Sequence, residues 1–235
     1  MTIDLRGVTA VMLPGTGSDD SYVARAFGAP LRDAGVRLLA PRPQPTRLID
    51  GYLDALNDAA RGGPIAVGGV SIGAAVAVAW ALQHPDRTVA VLAALPAWTG
   101  APDGATAAVT AQHSARQLRT DGLETTTAQM RASSPSWLAD ELARSWLRQW
   151  PHLPDAMDEA AGYVAPTYAE LERLVPPLGV AAAQDDPIHP IDVGRQWAAA
   201  APHAALRTVT LDQIGADPAA LGAACLAALA SLDAA

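Results

Sequence analysis

The chain contains no lysine; all 16 of its basic residues are arginines. That absence removes a Walker-type phosphate loop, a pyridoxal Schiff base and a Ser-x-x-Lys acylation site, each of which needs the lysine amine. Cysteine is almost as scarce. Cys225 stands alone, so no intramolecular disulfide forms, and the apolar run 223–229 around it reads as a buried helix face. No apolar run reaches about 18 residues, and the opening Met1-Thr2-Ile3-Asp4-Leu5-Arg6 lacks the long apolar region of a secretion signal. A soluble, cytoplasmic protein that does not enter a membrane is expected. Basic charge is also in deficit, 16 residues against 24 acidic ones for a net of −8. Such a field repels phosphate backbones and anionic lipid surfaces, so nucleic acid is a poor candidate and is not expected as a partner. The five histidines are scattered, with no pair at ligand spacing on one helix, so no metal is expected. Gly15-Thr16-Gly17 has Asp20 where a dinucleotide-binding loop has its third glycine, and Ala40-Pro41-Arg42 offers no acid for a ribose. No cofactor is expected.

What is present is 235 residues, 50% of them hydrophobic, enough for one domain with a sizeable core. Short runs rich in Val, Leu and Ala recur near 8–13, 36–40, 65–70, 88–95, 178–183 and 206–211, with helical spacing between them. This alternation predicts an α/β fold with a mostly parallel sheet flanked by helices. The run 8–13 is nearly uninterrupted, as in strands buried on both faces. The rhythm breaks between 100 and 162, where helical patterns are separated by Ser-Pro and Pro-x-x-Pro punctuation. The chain therefore divides into a core of 1–99 and 163–235 and an inserted helical cap of 100–162. Within the cap, Leu138, Leu142, Trp146 and Trp150 recur at four-residue intervals on one face of a helix that begins after Ser136. That stripe either packs the cap onto the sheet or lines an apolar substrate pocket.

Gly69-Val70-Ser71-Ile72-Gly73 has the form Gly-x-Ser-x-Gly. The pattern alone is weak, but here it follows the strand-like Ile65-Ala66-Val67-Gly68 and precedes a good helix, Ala74-Ala75-Val76-Ala77-Val78-Ala79-Trp80. Ser71 is thereby predicted at a sharp strand-to-helix turn, where only small neighbours let the two elements pack. A helix N-terminus also presents free N–H groups to a developing oxyanion. Ile72 N–H is one such donor, and Thr16 N–H, in the loop after strand 8–13, is the expected second.

On these residues the chain resembles the α/β-hydrolase family over nearly its whole length. It has Pro14-Gly15 where the family usually has His-Gly, a change that spares the backbone donor. The stretch from Ser71 to His84-Pro85-Asp86-Arg87 resembles the elbow helix and the turn after it, which implies a structural His84. Gln184-Asp185-Asp186-Pro187-Ile188-His189-Pro190 resembles the acid loop, which implies Asp186 as the acid, with Asp185 the alternative. The family's base follows the last strand, and by the resemblance its position here is Ala216; no histidine occurs in 204–235. A serine needs a base to take its proton. His189 and the cap residue His113 are the candidates, while His203 and His152 read as lying away from the site. Two functions follow. One is hydrolysis of a carboxylic ester or thioester by acyl transfer through Ser71, with Asp186 and His189 completing the catalytic set. The other is a hydrolase-like protein without a working base that binds an apolar small molecule or a partner.

Overall fold

Strands and helices alternate along the chain in the computed structural model, which describes residues 3–234. Met1, Thr2 and Ala235, at the ends of the expected core segments, lie outside the described residues. The order is β1 (Thr9–Leu13), α1 (Asp20–Asp33), β2 (Arg37–Leu39), α2 (Leu48–Ala60), β3 (Ile65–Val70), α3 (Ile72–Gln83) and β4 (Thr88–Ala94). Three helical segments follow, α4 (Thr106–Ser133, broken by a kink at Gly122), α5 (Ser136–Gln149) and α6 (Leu153–Ala161), then the short α7 (Tyr168–Leu171). The chain ends with β5 (Leu178–Ala183), α8 (Ile191–Ala200), β6 (Ala204–Val209), α9 (Leu211–Ala216) and α10 (Ala219–Ala230).

All six strands form one parallel sheet in the order β2-β1-β3-β4-β5-β6. Successive side chains of a strand point to opposite faces, and the core divides accordingly. Val11, Leu13, Val67, Val91 and Val180 face α2, α3 and α8, while Ala10, Met12, Ala66, Leu92 and Ala181 face α1 and α10. The sheet is covered on both sides, which is why the strands read as unbroken apolar runs. The expected α/β architecture is present.

The strand order reverses between β1 and β3, so the loops that leave these neighbours at their carboxyl ends run to opposite faces and leave a crevice. The loop 14–19 and Ser71 both stand there. The three helices α4–α6 are inserted between β4 and β5 and bury a small core of their own, in which Trp146 meets Ala115, Leu118, Leu153 and Met157.

Three expectations need correction. The last strand runs from Ala204 to Val209, two residues earlier than predicted. The stretch after it, where the resemblance implied a loop over 212–218, is helix α9, because Thr210 and Gln213 form a reciprocal capping box that starts a helical turn. Trp150 does not continue the stripe of α5: Pro151 cannot extend the helix, the chain turns extended at Trp150, and its side chain is 40% exposed. Cys225 is fully buried on α10, and burial pushes its thiol up to about 12. No helix among the described residues is long and apolar enough to cross a membrane.

Packing of α10 onto α1 yields a test. A Cβ added at Gly222 would lie 2.3 Å from the Ala26 carbonyl oxygen. Alanine gains about 1 kcal/mol over glycine in helix propensity, but overpacking against backbone costs about 1–3 kcal/mol. Gly222→Ala is therefore expected to be less stable than the parent, read as a lower urea midpoint.

Candidate active site

Ser71 sits between β3 and α3 with φ 55° and ψ −117°, a left-handed backbone that a non-glycine residue adopts only under constraint. The constraint is close packing. A Cβ at Gly69 would lie 2.5 Å from the Leu13 carbonyl oxygen, and one at Gly73 would lie 2.3 Å from it and 2.7 Å from that of Pro14. Glycine on both flanks lets the end of β1 press against the turn. Ser71 N–H donates to Ala94 O at 2.9 Å, and α3 then begins with Ile72. As the first helical residue, Ile72 has no intrahelical acceptor for its N–H.

The loop 14–19 lies across the crevice from the elbow. Pro14 O accepts from Tyr52 Oη at 3.1 Å, Ser18 N–H donates to Gly15 O at 3.0 Å, and Gly17, at φ +71°, closes the turn. Thr16 is half-buried at its tip, and its N–H has no acceptor among the described residues. Gly15 stands beside the elbow serine, where an added Cβ would be 3.5 Å from Ser71 Cβ.

Beyond β5, Asp186 builds its own turn. Its Oδ1 accepts the N–H of Ile188 at 2.8 Å and of His189 at 3.2 Å, the local bonding by which aspartate organises a loop. Its Oδ2 is 2.8 Å from His189 Nδ1. The imidazole is carried over the sheet edge so that Nε2 lies 3.0 Å from Ser71 Oγ. The side chains of Asp186 and His189 are 8% and 17% exposed. Since β5 is two strands from β3, roughly 10 Å away, the four-residue turn covers the distance that a base placed after β6 would cover from further out. Burial pushes the Asp186 carboxyl up, but the His189 hydrogen bond and charge, with the two backbone N–H groups, outweigh it and hold the group below its ordinary value. An ionised Asp186 fixes the ring with Nδ1 as donor and leaves Nε2 to accept from the serine.

Asp185 turns the other way. Its Oδ1 accepts Leu211 N–H at 2.8 Å and so caps α9. Ala216 ends that helix, and Gly215 before it lies under the indole of Trp137, on α5. Of the other histidines, His113 is exposed on α4, and His152 is exposed beside Asp155. His84 stacks on Trp80 with ring centroids 4.4 Å apart at the far end of α3. His203 is exposed at the opposite end of the sheet, where β6 begins.

Sequence reasoning missed Tyr22, a buried phenol in the first turn of α1. Burial, followed by the charge of Glu141 and, less strongly, that of Asp186, raises it far above its ordinary range, so it stays protonated. It also missed the contacts that α5 makes with the loop 14–19: Arg148 Nη1 donates to Asp19 Oδ2 at 2.9 Å, and Gln149 Nε2 donates to Ser18 O at 3.0 Å. The only hint of these in the sequence was that the polar residues Arg148 and Gln149 follow the apolar stripe. No spacing tied them to residues about 130 positions earlier.

No protein-family model matches the sequence, and no curated protein matches it. Solved structures do. MenH from S. aureus superposes with a TM-score of 0.73 at 14% identity, over 97% of this chain and 95% of that one. A structure from a study of carboxylesterases of the thaumarchaeon Nitrososphaera gargenis gives 0.72 at 15% identity, over 91% and 86%. The enol-lactonase from Burkholderia xenovorans LB400 gives 0.65 at 21% identity, over 87% and 83%. At such identities the likeness is one of fold.

The hydrogen bond between Asp186 and the ring has a spectroscopic signature. A strongly deshielded imidazole N–H proton is expected in the NMR spectrum of the protein. It should vanish in Asp186→Ala while the other four histidines keep their signals.

Proposed function

The chain has the α/β-hydrolase fold, and from that premise we propose that it is a serine hydrolase acting on a carboxylic ester or thioester by acyl transfer through Ser71. The observation that carries this reading is the continuous line from Ser71 Oγ to His189 Nε2 at 3.0 Å and from His189 Nδ1 to Asp186 Oδ2 at 2.8 Å. Both distances are within reach for proton transfer and for orienting the ring.

In this reaction Ser71 Oγ attacks the carbonyl carbon while its proton passes to His189 Nε2. The carbonyl oxygen becomes an oxyanion and takes hydrogen bonds from the N–H groups of Thr16 and Ile72. Collapse of the tetrahedral species breaks the bond to the alcohol or thiol, which leaves with the proton from His189. Water then attacks the acyl-serine with His189 again as base, releasing the acid and restoring the serine. Asp186 stays ionised throughout and balances the imidazolium. The insertion α4–α6 serves as the cap; Trp146 and Leu142 belong to its own core and give it a rigid body with which to cover a small apolar acyl or alcohol group.

A purely binding role would rest on the absence of a base at Ala216; the His189 contact is what favours catalysis over it. The names of the structural neighbours, an enol-lactonase and carboxylesterases among them, are consistent with acyl chemistry but belong to those proteins.

A fluorophosphonate probe is expected to label the protein, and Ser71→Ala to abolish labelling. Asp186→Asn should lower kcat by about 10⁴-fold, since the ring would lose its tautomer and its counter-charge, and His189→Ala should do no better. Full labelling of His189→Ala would overturn the assignment of the base. A large gain of activity in Ala216→His on a His189→Ala background would show instead that the base belongs after β6.

A further inference from the structure

Three consecutive residues of the loop that carries Thr16 are each held by a residue at the end of α5. The Trp146 ring stands against Gly17, where an added Cβ would be 2.8 Å from the indole nitrogen. Gln149 Nε2 donates to Ser18 O at 3.0 Å and also bonds Ser145 Oγ at 2.8 Å, so its amide is fixed from both sides. Arg148 Nη1 donates to Asp19 Oδ2 at 2.9 Å, and its Nη2 lies 3.6 Å from Asp20 Oδ1.

These contacts are buried where it counts. Gln149 is 7% exposed, Trp146 3% and Asp19 6%, although the Arg148 side chain is 42% exposed. Asp19 Oδ1 meanwhile accepts Tyr22 N–H at 3.1 Å and caps α1. The loop is thus tied to the core at Pro14 through Tyr52, and beyond Thr16 it is tied to the insertion.

The two proposed oxyanion donors consequently have different supports. Ile72 N–H is set by the sheet and α3. Thr16 N–H lies in a loop whose following half is shaped by α5. A donor aimed at a developing charge loses much of its effect when displaced by a fraction of a hydrogen-bond length, because the charge in the transition state is met only by dipoles already in place.

We infer that Arg148 and Gln149 are positioning residues that hold the Thr16 N–H in the oxyanion hole, so that docking of the insertion completes the catalytic apparatus as well as covering the substrate. This rests on the proposed acyl-transfer reading for its kinetic consequence, but the structural claim about Thr16 does not.

The test uses Gln149→Met, which keeps the volume and removes the donor, together with Arg148→Ala and the conservative Arg148→Lys. With a p-nitrophenyl ester, kcat of Gln149→Met and Arg148→Ala is expected to fall about 10- to 100-fold with KM changed less than about two-fold. Inhibition by an alkylboronic acid, whose tetrahedral adduct occupies the oxyanion hole, should weaken by the same factor as kcat. The midpoint of the pH–rate profile should not move, because His189 and Asp186 are untouched, and Arg148→Lys should recover most of the loss. Amide hydrogen exchange at Thr16 and Gly17 should quicken in the first two variants, a measurement that needs no turnover.

Unchanged kcat with a lower melting temperature would overturn the inference and leave the pair as a staple for the insertion. A rise in KM alone would overturn it as well, assigning α5 to substrate binding. If the unaltered protein hydrolyses no ester, the acyl-transfer reading fails, and faster exchange at Thr16 still decides the positioning claim in its favour. Unchanged exchange decides it against.

Discussion

The carboxylate of Asp186 is the group on which the rest of the site depends. Its one oxygen accepts two backbone N–H groups and folds the turn that follows β5; its other oxygen holds the imidazole that this turn carries. One side chain therefore decides both where His189 is and which way its ring faces. Burial alone would favour a neutral acid, but the three donors around it keep the charge. Four residues thus carry both the carboxylate and the ring it holds, whereas the end of β6 lies three strands away from the elbow in the sheet order.

That carboxylate matters only because the sheet brings its loop to the same crevice as Ser71. Reversal of the strand order between β1 and β3 opens the crevice, and glycines at 69 and 73 let the end of β1 close to backbone contact with the elbow. The strain at Ser71 is borne by this packing, since the surrounding strand and helix have nowhere else to go. The insertion is joined to the same region through Arg148 and Gln149, and on the other side Glu159 of α6 accepts the N–H groups of Leu48 and Ile49 at the start of α2. Its helices are anchored at both edges of the crevice.

Local features were legible in advance for physical reasons that can be stated. Runs such as Ile65–Val70 are buried on both faces, so they carry no polar interruption and announce themselves. The elbow is a steric problem with a glycine solution, so it leaves a mark at fixed spacing. Asp186 could be favoured over Asp185 only through resemblance to a loop; the structure separates them by their partners, a ring for one and the start of α9 for the other. Thr210 with Gln213 is a capping box that the sequence does carry, a Thr followed three residues later by a Gln, and it starts α9. Trp150 fits the four-residue spacing of the stripe, but Pro151 ends the helix before it, and a breaker outweighs periodicity.

By itself the sequence determined the parallel α/β core, the strand-to-helix turn at Ser71 and the absence of any lysine or disulfide chemistry, because each depends on residue type or on spacing within a few positions. It also narrowed the candidates for a base from five histidines to His189 and His113. Only the tertiary structure decided that His189 is the one within 3.0 Å of Ser71 Oγ, and that α5 grips the loop around Thr16. Those contacts join residues 118 and about 130 positions apart, and no local pattern encodes the lateral distance between strands or the direction in which an inserted helix returns across them.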